Sequence, residues 1–387
     1  MSKKLPTTPI SVALTLVSPR RNSTGNQKSA LNRALSKLLA TSKTKTFLPI
    51  NFGCRVNSAE TNQLSQSLLD LGLSPDKNNP DIYIVNTCSV TKKGEYESIS
   101  KIKKLAADFP KSTIIATGCA NLDKVKNIPN IIILNNTDKE KLSSLYTPQI
   151  KDKFSHTHRY LLKIQSGCSQ FCSYCTVPLK RPYLWSLPIN TAIDTINRTI
   201  KNGYKEIIIT GVNIDQYQYG LSDLVLSILK NTSIPLISFG SVPLNCIDNK
   251  FIKLYQQYPD RLSHFLHIPI QSGSDRILKL MHRPYDVKKI IDIFNILNNI
   301  SSPLAGGEGT EGRLSFGTDI IVGFPTETNT DFQQTLNLCC SIGFSKIHVF
   351  KYSPRPNTTA LELFRQSPKI SQTVKKQRSR TIRSIQN

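Results

Sequence analysis

The sequence predicts an α/β protein in which an open parallel sheet domain precedes a partial (β/α)6 barrel. Short β-rich runs alternate with helical patterns from Phe47 onward, and the polar, irregular stretch Tyr146–His158 interrupts this alternation once. Six further strand-helix units follow the interruption. A chain of 387 residues is long enough for two such domains, each with its own core. No apolar run is long enough to span a bilayer, so no membrane partner is expected.

The first domain is predicted over residues 46–147. Its strands are expected near Phe47–Phe52, Asp81–Asn86, Thr113–Thr117 and Asn130–Leu134. A basic arm, residues 1–45, precedes this domain, and no acidic residue occurs before Glu60. The composition of the arm favours either a disordered segment or a targeting segment.

The second domain is predicted over residues 158–362. Its strands are expected near Tyr160–Gln165, Glu206–Thr210, Leu236–Phe239, His264–Ile268, Gly317–Val322 and Lys346–Phe350. Helices are expected at Asn190–Lys201, Asp286–Asn298 and Asp331–Ile342. The Gly-rich stretch Ser301–Ser315 has no periodicity and predicts an exposed loop. Residues 363–387 hold seven Lys or Arg and no acid, which predicts a basic helix or a solvated end.

The composition indicates a polyanionic partner and a reducing compartment. Lys and Arg outnumber Asp and Glu by 50 to 26, giving a formal charge of +24. Such an excess favours nucleic acid or an anionic surface, although a Lys-rich proteome would also produce it. Nine cysteines are too few for a disulfide scaffold of this length, and several are closely grouped. We therefore expect metal ligation and a cytoplasmic location.

The sharpest chemical signal is a CxxxCxxC run formed by Cys168, Cys172 and Cys175, directly after a predicted strand. Three thiolates on one loop can hold three irons of a cubane cluster and leave the fourth iron open to a ligand. A structural zinc site would need a fourth ligand, which His156 or His158 could supply, and it usually uses CxxC pairs. The spacing favours the iron-sulfur interpretation.

Three earlier cysteines, Cys54, Cys88 and Cys119, each follow a predicted strand. In a parallel sheet the carboxyl ends of the strands lie along one edge, so these residues can converge there. They would then hold a second cluster with its own open iron. The alternative is three unrelated buried thiols, because single cysteines are often buried as small apolar residues.

Eight motifs in a fixed order connect these cysteines to a known family. They are GCxxN, NTCSVT, TGC, CxxxCxYCTVP, YKEIIITGVN, LHIPIQSGSDRILKLMHRPY, TDIIVGFPTET and YSPRP, and they cover about Asn51–Pro356. In these motifs the chain resembles the radical S-adenosylmethionine tRNA methylthiotransferase family. NTCSVT, around Cys88, is most similar to the branch acting on N6-threonylcarbamoyladenosine.

The resemblance implies two [4Fe-4S] clusters and S-adenosylmethionine as cofactors. Cys168, Cys172 and Cys175 would ligate the radical-generating cluster, and Cys54, Cys88 and Cys119 the auxiliary cluster that presents a methylated sulfur. The implied reaction adds a methylthio group to C2 of the modified adenosine in tRNA. It requires an electron donor such as a flavodoxin or ferredoxin type protein. No catalytic residue is predicted beyond the cluster ligands.

The resemblance also implies residues that bind the cofactor. Tyr174 would lie beside the adenine of S-adenosylmethionine, or else pack the cluster loop. Asn213, Gln271 and Ser272 would contact S-adenosylmethionine or substrate, or else only form turns. Arg283 and Arg181 would pair with carboxylate or phosphate groups, or else be solvated. The other cysteines, Cys246, Cys339 and Cys340, match no cluster motif and are expected to be core or surface thiols.

Some features depart from the family pattern. The segment after Arg181 lacks the usual Gly, and Asn357 and Thr359 stand where Gly and Pro are usual. The small RNA-binding β-barrel that normally ends these proteins is expected to be absent here. Two alternatives therefore stay open: a truncated, inactive iron-sulfur protein that binds RNA, and a methylthiotransferase acting on another nucleoside or on a protein.

Overall fold

The chain divides into two compact units, Met1–Asp152 and Lys153–Asn387, and each is described by itself. A computed structural model describes residues 46–70, 72–139, 158–300 and 313–386. The basic arm, most of the Gly-rich stretch and most of the predicted domain boundary lie outside these ranges. In the described part of the chain, no helix has the length and apolar character needed to cross a membrane.

The first unit contains an entirely parallel five-stranded sheet in the order β2-β1-β3-β4-β5. The strands are β1 Thr46–Asn51, β2 Ser74–Pro75, β3 Ile82–Thr87, β4 Thr113–Gly118 and β5 Ile131–Ile133. The central β3 is buried at every position, as its run of apolar residues predicts. Helices α1 Arg55–Asp70 and α2 Lys92–Asp108 connect the first strands. Only the two-residue β2 is a strand that the sequence did not predict.

The core of this unit aligns the ends of its strands. Ile99, Ile102 and Leu105 of α2 pack with apolar residues of β3 and β4. Asn51 lies opposite Asn86, and Thr87 lies opposite Gly118. The carboxyl ends of β1, β3 and β4 therefore meet at one edge of the sheet, where Cys54, Cys88 and Cys119 follow.

The second unit is built on six parallel strands in two sheets. The strands are β6 Arg159–Ser166, β8 Glu206–Gly211, β9 Leu236–Phe239, β10 Phe265–His267, β11 Ser315–Val322 and β12 Lys346–Lys351. The sheet orders are β7-β6-β8-β9 and β10-β11-β12, and the short β7 Trp185–Ser186 is antiparallel to β6. The Ser263 N–H donates to Ile237 O and Val242 N–H to His267 O, which joins the two sheets. The predicted partial (β/α)6 barrel is confirmed.

Helices cover one face of these sheets. After the short α3 Val177–Lys180, which follows the cysteine loop, these helices are α4 Ile189–Lys201, α5 Leu221–Asn231, α6 Asn249–Gln257, α7 Asp275–Leu280, α8 Val287–Asn298 and α9 Asn329–Ile342. Alternate strand residues, such as Ile207, Ile237 and Ile320, lie in the core beneath them. Because successive side chains alternate between faces, the intervening residues line the opposite, inner face of the curved sheet.

The basic tail contains a helix packed on the barrel. After α10 Thr359–Gln366, helix α11 Gln372–Arg383 lies against β12 and α9. The buried Arg378 donates to Glu327 O at 3.2 Å, and Gln386 Nε2 donates to Ile347 O on the edge strand at 2.8 Å. Of the two interpretations of the tail, the basic helix is therefore correct for residues 372–383.

Candidate active site

The loop that follows β6 carries Cys168, Cys172 and Cys175. It begins at Gly167, whose φ of 86° is left-handed, and a Cβ there would lie 2.0 Å from Tyr183 O. No other residue fits without moving the backbone. The chain therefore turns sharply at the end of the strand, and the loop starts above the carboxyl edge of the barrel.

Backbone contacts fix this loop to distant segments of the second unit. Cys168 N–H donates to Arg181 O at 3.2 Å, and Ser173 N–H donates to Met281 O at 3.1 Å. Ser173 Oγ donates to Leu280 O at 2.7 Å, and Ala360 N–H donates to Ser173 O at 2.8 Å. The loop is therefore held by the chain after it, by the end of α7 and by the start of α10.

Each sulfur of this triad accepts a hydrogen bond. Arg283 Nη1 donates to Cys172 Sγ at 3.3 Å, Val177 N–H to Cys175 Sγ at 3.4 Å, and Asn213 Nδ2 to Cys168 Sγ at 3.6 Å. Burial is the main cause that raises the pKa of Cys175 to about 12, and the neighbouring Cys172 and Cys168 contribute to the same shift. The Cys175 thiol therefore becomes a thiolate readily only when a cationic metal centre replaces its proton. The donor set therefore fits an iron-sulfur cluster.

Gln165 organises the base of the loop, a role that no sequence motif predicted. Its buried Nε2 donates to Ser166 O at 3.0 Å and to Gly167 O at 2.8 Å, while its Oε1 accepts Asn213 N–H at 2.8 Å. Asn213 Nδ2 also reaches Gln170 Oε1 at 3.3 Å. The sequence feature that could have identified Gln165 is a polar residue at an inward-facing position of β6, directly before the cysteine loop. Asn213 thus contacts the loop directly.

Tyr174 and Arg283 lie beside Cys172. Tyr174 is partly buried against an apolar cluster that includes Met281 and Phe324, and burial raises its pKa despite the opposing effect of Arg283. Arg283 Nε donates to Tyr285 Oη at 2.9 Å, and its guanidinium lies 4.9 Å from the centre of that ring. Arg283 is therefore not a solvated surface residue.

Gln271 and Ser272 form the turn after β10. Gln271 is left-handed with φ 69°, and its backbone bonds to Asp319 and Ile321 of β11. The buried Ser272 hydroxyl bonds to Thr335 Oγ1 at 3.2 Å and accepts Ser274 N–H at 3.2 Å. The Ser272 hydroxyl thus makes its hydrogen bonds within and beside the turn, whereas the Gln271 side chain is partly exposed to solvent.

The remaining residues singled out in the sequence also have structural explanations. Arg181 is buried, and its Nη1 donates to Ser166 Oγ at 3.4 Å at the base of the cysteine loop. Asn357 adopts φ 58°, a conformation that Asn tolerates better than most residues, so the absent Gly is accommodated there. Cys246 and Cys339 are buried and Cys340 is exposed, in agreement with their prediction as core or surface thiols.

The strand-end cysteines lie on adjoining segments at the edge of the first sheet. A Cβ on Gly53 would be 2.8 Å from Cys88 Sγ, so the residue before Cys54 touches Cys88. Cys119 N–H donates to Thr87 O at 3.1 Å, directly before Cys88. Cys54 is exposed, Cys119 partly exposed and Cys88 buried, so the group opens to solvent on one side.

Asn57 and Gly118 fix this arrangement. The buried Asn57 Nδ2 donates to Phe52 O and to Thr87 O, both at 2.8 Å, and so ties the chain after β1 to the end of β3. Gly118 has φ 103°, and a Cβ there would lie 2.4 Å from Thr87 O. The close approach of the three segments is therefore built into the sheet edge.

Both units match known protein families. Residues 162–339 match the family described as the radical SAM superfamily, and residues 46–133 match the family described as uncharacterized protein family UPF0004. The threonylcarbamoyladenosine tRNA methylthiotransferase MtaB of Thermotoga maritima is 34% identical, covering 82% of this chain and 76% of the relative. The enzyme of the same name from Aquifex aeolicus is 29% identical, covering 86% of each chain.

A solved structure supports the fold. The radical S-adenosylmethionine methyltransferase TsrM from Kitasatospora setae, with cobalamin and a [4Fe-4S] cluster bound, superposes with a TM-score of 0.59. It shares 10% sequence identity, and the alignment covers 82% of this chain and 77% of that one. At this identity the likeness concerns the fold alone.

Proposed function

We propose that this chain, which belongs to the radical S-adenosylmethionine tRNA methylthiotransferase family, adds a methylthio group to C2 of N6-threonylcarbamoyladenosine in tRNA. Relatives named for that reaction support the substrate, as does the sequence NTCSVT around Cys88. The single observation that carries the proposal is the presence of two cysteine triads, one in each unit, each on a backbone shaped to hold it. A net charge of +24 suits an RNA substrate.

In this proposal Cys168, Cys172 and Cys175 hold the radical-generating [4Fe-4S] cluster. When bound, the cluster supplies the electron that cleaves S-adenosylmethionine to a 5'-deoxyadenosyl radical. The residues of the chain supply orientation and charge: Arg283 places a guanidinium on Cys172 Sγ, and Gln165 holds Asn213 against Cys168. Hydrogen bonds to cluster sulfurs and local charge are the means by which proteins adjust such centres.

Cys54, Cys88 and Cys119 hold the auxiliary [4Fe-4S] cluster. The exposed side of this triad, at Cys54, leaves room for a sulfur ligand on the open iron. Asn57 and Gly118 keep the three segments close. Residues 46–147 form the unit with the auxiliary cluster, and residues 158–362 form the radical unit.

Contacts to S-adenosylmethionine come from the strand ends around the cysteine loop. Tyr174 would lie beside the adenine, and Asn213 and Gln271, which follow β8 and β10, would offer their side-chain amide groups. Ser272 acts through the turn that its hydroxyl stabilises. In this proposal the reductant is an electron donor such as a flavodoxin or ferredoxin type protein, and the closely grouped cysteines suit the reducing conditions of the cytoplasm.

Nucleoside mass spectrometry tests the proposal. Total tRNA from a strain lacking this protein should contain N6-threonylcarbamoyladenosine without its methylthio derivative, and the wild-type chain should restore that derivative. The Cys88→Ser variant should fail to restore it, while Cys340→Ser, an exposed thiol outside both triads, serves as the matched control. Loss of a different methylthiolated nucleoside would show that N6-threonylcarbamoyladenosine is not the substrate. An unchanged nucleoside profile would refute the proposal.

A further inference from the structure

A third group of metal-ligand side chains lies on the inner face of the second unit. His267 on β10, Asp319 on β11 and His348 on β12 place one ligand atom each within 4.8 Å of one another. His267 Nε2 is 3.1 Å from Asp319 Oδ1, and His348 Nδ1 is 3.4 Å from the same oxygen. Over residues 46–70, 72–139, 158–300 and 313–386, no other group of three His, Cys, Asp or Glu residues is this close.

The parallel sheet holds these three side chains in place. Asp319 pairs directly with His348, while His267 pairs with Gly317, two residues before Asp319. A Cβ on Gly317 would lie 2.9 Å from His267 Nδ1 and 2.7 Å from Phe265 Cζ. The glycine thus provides the space in which the His267 ring crosses toward Asp319. Ligands fixed on neighbouring strands lose little conformational entropy when they bind an ion.

A hydrogen-bonded trio that ties three strands together is the competing explanation. The Asp319 carboxylate could accept an N–H from each imidazole without any ion. Such hydrogen bonds contribute little to the stability of the fold where water competes for the same groups. The His348 and Asp319 side chains are 48% and 24% exposed. The buried His267 and the partly open Asp319 and His348 instead leave one side of the group accessible, as in metal sites that keep positions for water.

We propose that His267, Asp319 and His348 bind one divalent transition-metal ion of the zinc class, separate from both iron-sulfur clusters. Two imidazoles and one carboxylate suit Zn²⁺ or Fe²⁺, whereas the cysteine triads suit iron-sulfur clusters. The ion joins β12, at the edge of its sheet, to β11 and β10. Because it binds only the folded sheet, it stabilises the second unit.

Zinc K-edge X-ray absorption of the anaerobically reconstituted protein tests this proposal. Zn²⁺ is added to the holoprotein, and loosely held ion is removed by gel filtration. We expect one zinc per chain, a first shell of nitrogen and oxygen, and the outer-shell scattering of imidazole. A first shell containing sulfur, or no retained zinc, would overturn the proposal, since the zinc would then occupy a cysteine triad or the trio would be only hydrogen-bonded.

Variants locate the ion. His348→Gln and Asp319→Asn should each lose the bound zinc, keep the iron content of the wild type, and no longer show a zinc-dependent rise in melting temperature. His264→Gln is the control, because His264 contacts Pro259 O and lies outside the trio. Zinc retained by both trio variants, or lost equally by the control, contradicts the assignment. If a variant fails to fold, the spectrum of the wild-type protein still decides the ligand set.

Discussion

The two cysteine triads are built in opposite ways. Cys168, Cys172 and Cys175 share one loop, and a single glycine at the end of β6 sets its direction. Cys54, Cys88 and Cys119 come from three separate strand ends, and only the pairing of β1, β3 and β4 brings them together. The loop triad is thus a local motif fixed to its surroundings, whereas the strand-end triad depends on the whole sheet.

Because of this difference, each triad should be sensitive to different changes in the chain. The loop triad is held by backbone hydrogen bonds to Arg181 O and Met281 O and from Ala360 N–H, so changes near the loop should affect it alone. The strand-end triad is held by Asn57 and by the close approach at Gly118, so it responds to changes in sheet register. Each triad should therefore be removable without removing the other.

Single cysteine substitutions should have the largest effect and separate two activities. Cys172→Ser should reduce both reductive cleavage of S-adenosylmethionine and methylthiolation of tRNA to background, because the loop would no longer hold the cluster that supplies the electron. Cys88→Ser should reduce methylthiolation to background but leave cleavage of S-adenosylmethionine. Production of 5'-deoxyadenosine, measured by chromatography, distinguishes them. Equal loss of cleavage in both variants would mean that the triads are not independent.

Glycine substitutions should give the next largest effect. Gly118→Ala places a Cβ 2.4 Å from Thr87 O, and Gly167→Ala places one 2.0 Å from Tyr183 O. Each should lower iron to about four per chain by removing only the cluster of its own unit. Gly72→Ala and Gly203→Ala are the controls. Gly72 and Gly203 also have left-handed φ angles, of 85° and 84°, but an added Cβ there would have no atom within 4 Å. They should lose only about 1–2 kcal/mol of unfolding free energy, without losing iron.

Gln165→Leu should weaken the loop triad to a smaller degree. It removes the hydrogen bonds that the Gln165 amide makes to Gly167 O and to Asn213 N–H, at about 1–3 kcal/mol for each polar group left without this bond. Gln216→Leu is the control, because Gln216 bonds to the same loop at Ser169 from an exposed position where water can substitute. Iron loading and melting temperature should fall more for Gln165→Leu, and equal losses would contradict this role of burial.

Arg283→Met should have the smallest effect, a shift in reduction potential. The guanidinium donates to Cys172 Sγ and stabilises the more negative, reduced cluster, so its removal should lower the potential of the loop cluster. Arg283→Lys keeps the charge and should fall between Arg283→Met and the wild type. Redox titration followed by electron paramagnetic resonance measures both values. An unchanged potential in Arg283→Met would place the guanidinium outside the influence of the cluster.

Much of the fold was predictable because the parallel strands are apolar runs bounded by polar turns. Leu236–Phe239 was predicted with its observed bounds, and the other predicted strands agree within two residues at each end. The two-residue strands β2 and β7 were missed, since so short a pairing leaves no periodic pattern. The cysteines could be identified from spacing and from their positions after strands.

The supporting residues were harder to predict because they depend on tertiary structure. Gln165 and Asn57 are ordinary polar residues until the folded chain places carbonyls around them. The trio of His267, Asp319 and His348 requires the register of three strands, which no local pattern specifies. Arg283 could be a surface residue by sequence, and only the return of the chain after α7 brings it to Cys172.

Counting iron in three proteins tests the central claim most directly. The proteins are the wild type, the Cys168/Cys172/Cys175→Ala variant and the Cys54/Cys88/Cys119→Ala variant, each reconstituted without oxygen and examined by Mössbauer spectroscopy. Two independent triads predict about eight irons per chain for the wild type and about four for each variant, all in cubane clusters. About four irons in the wild type, with no loss in the Cys54/Cys88/Cys119→Ala variant, would contradict the claim.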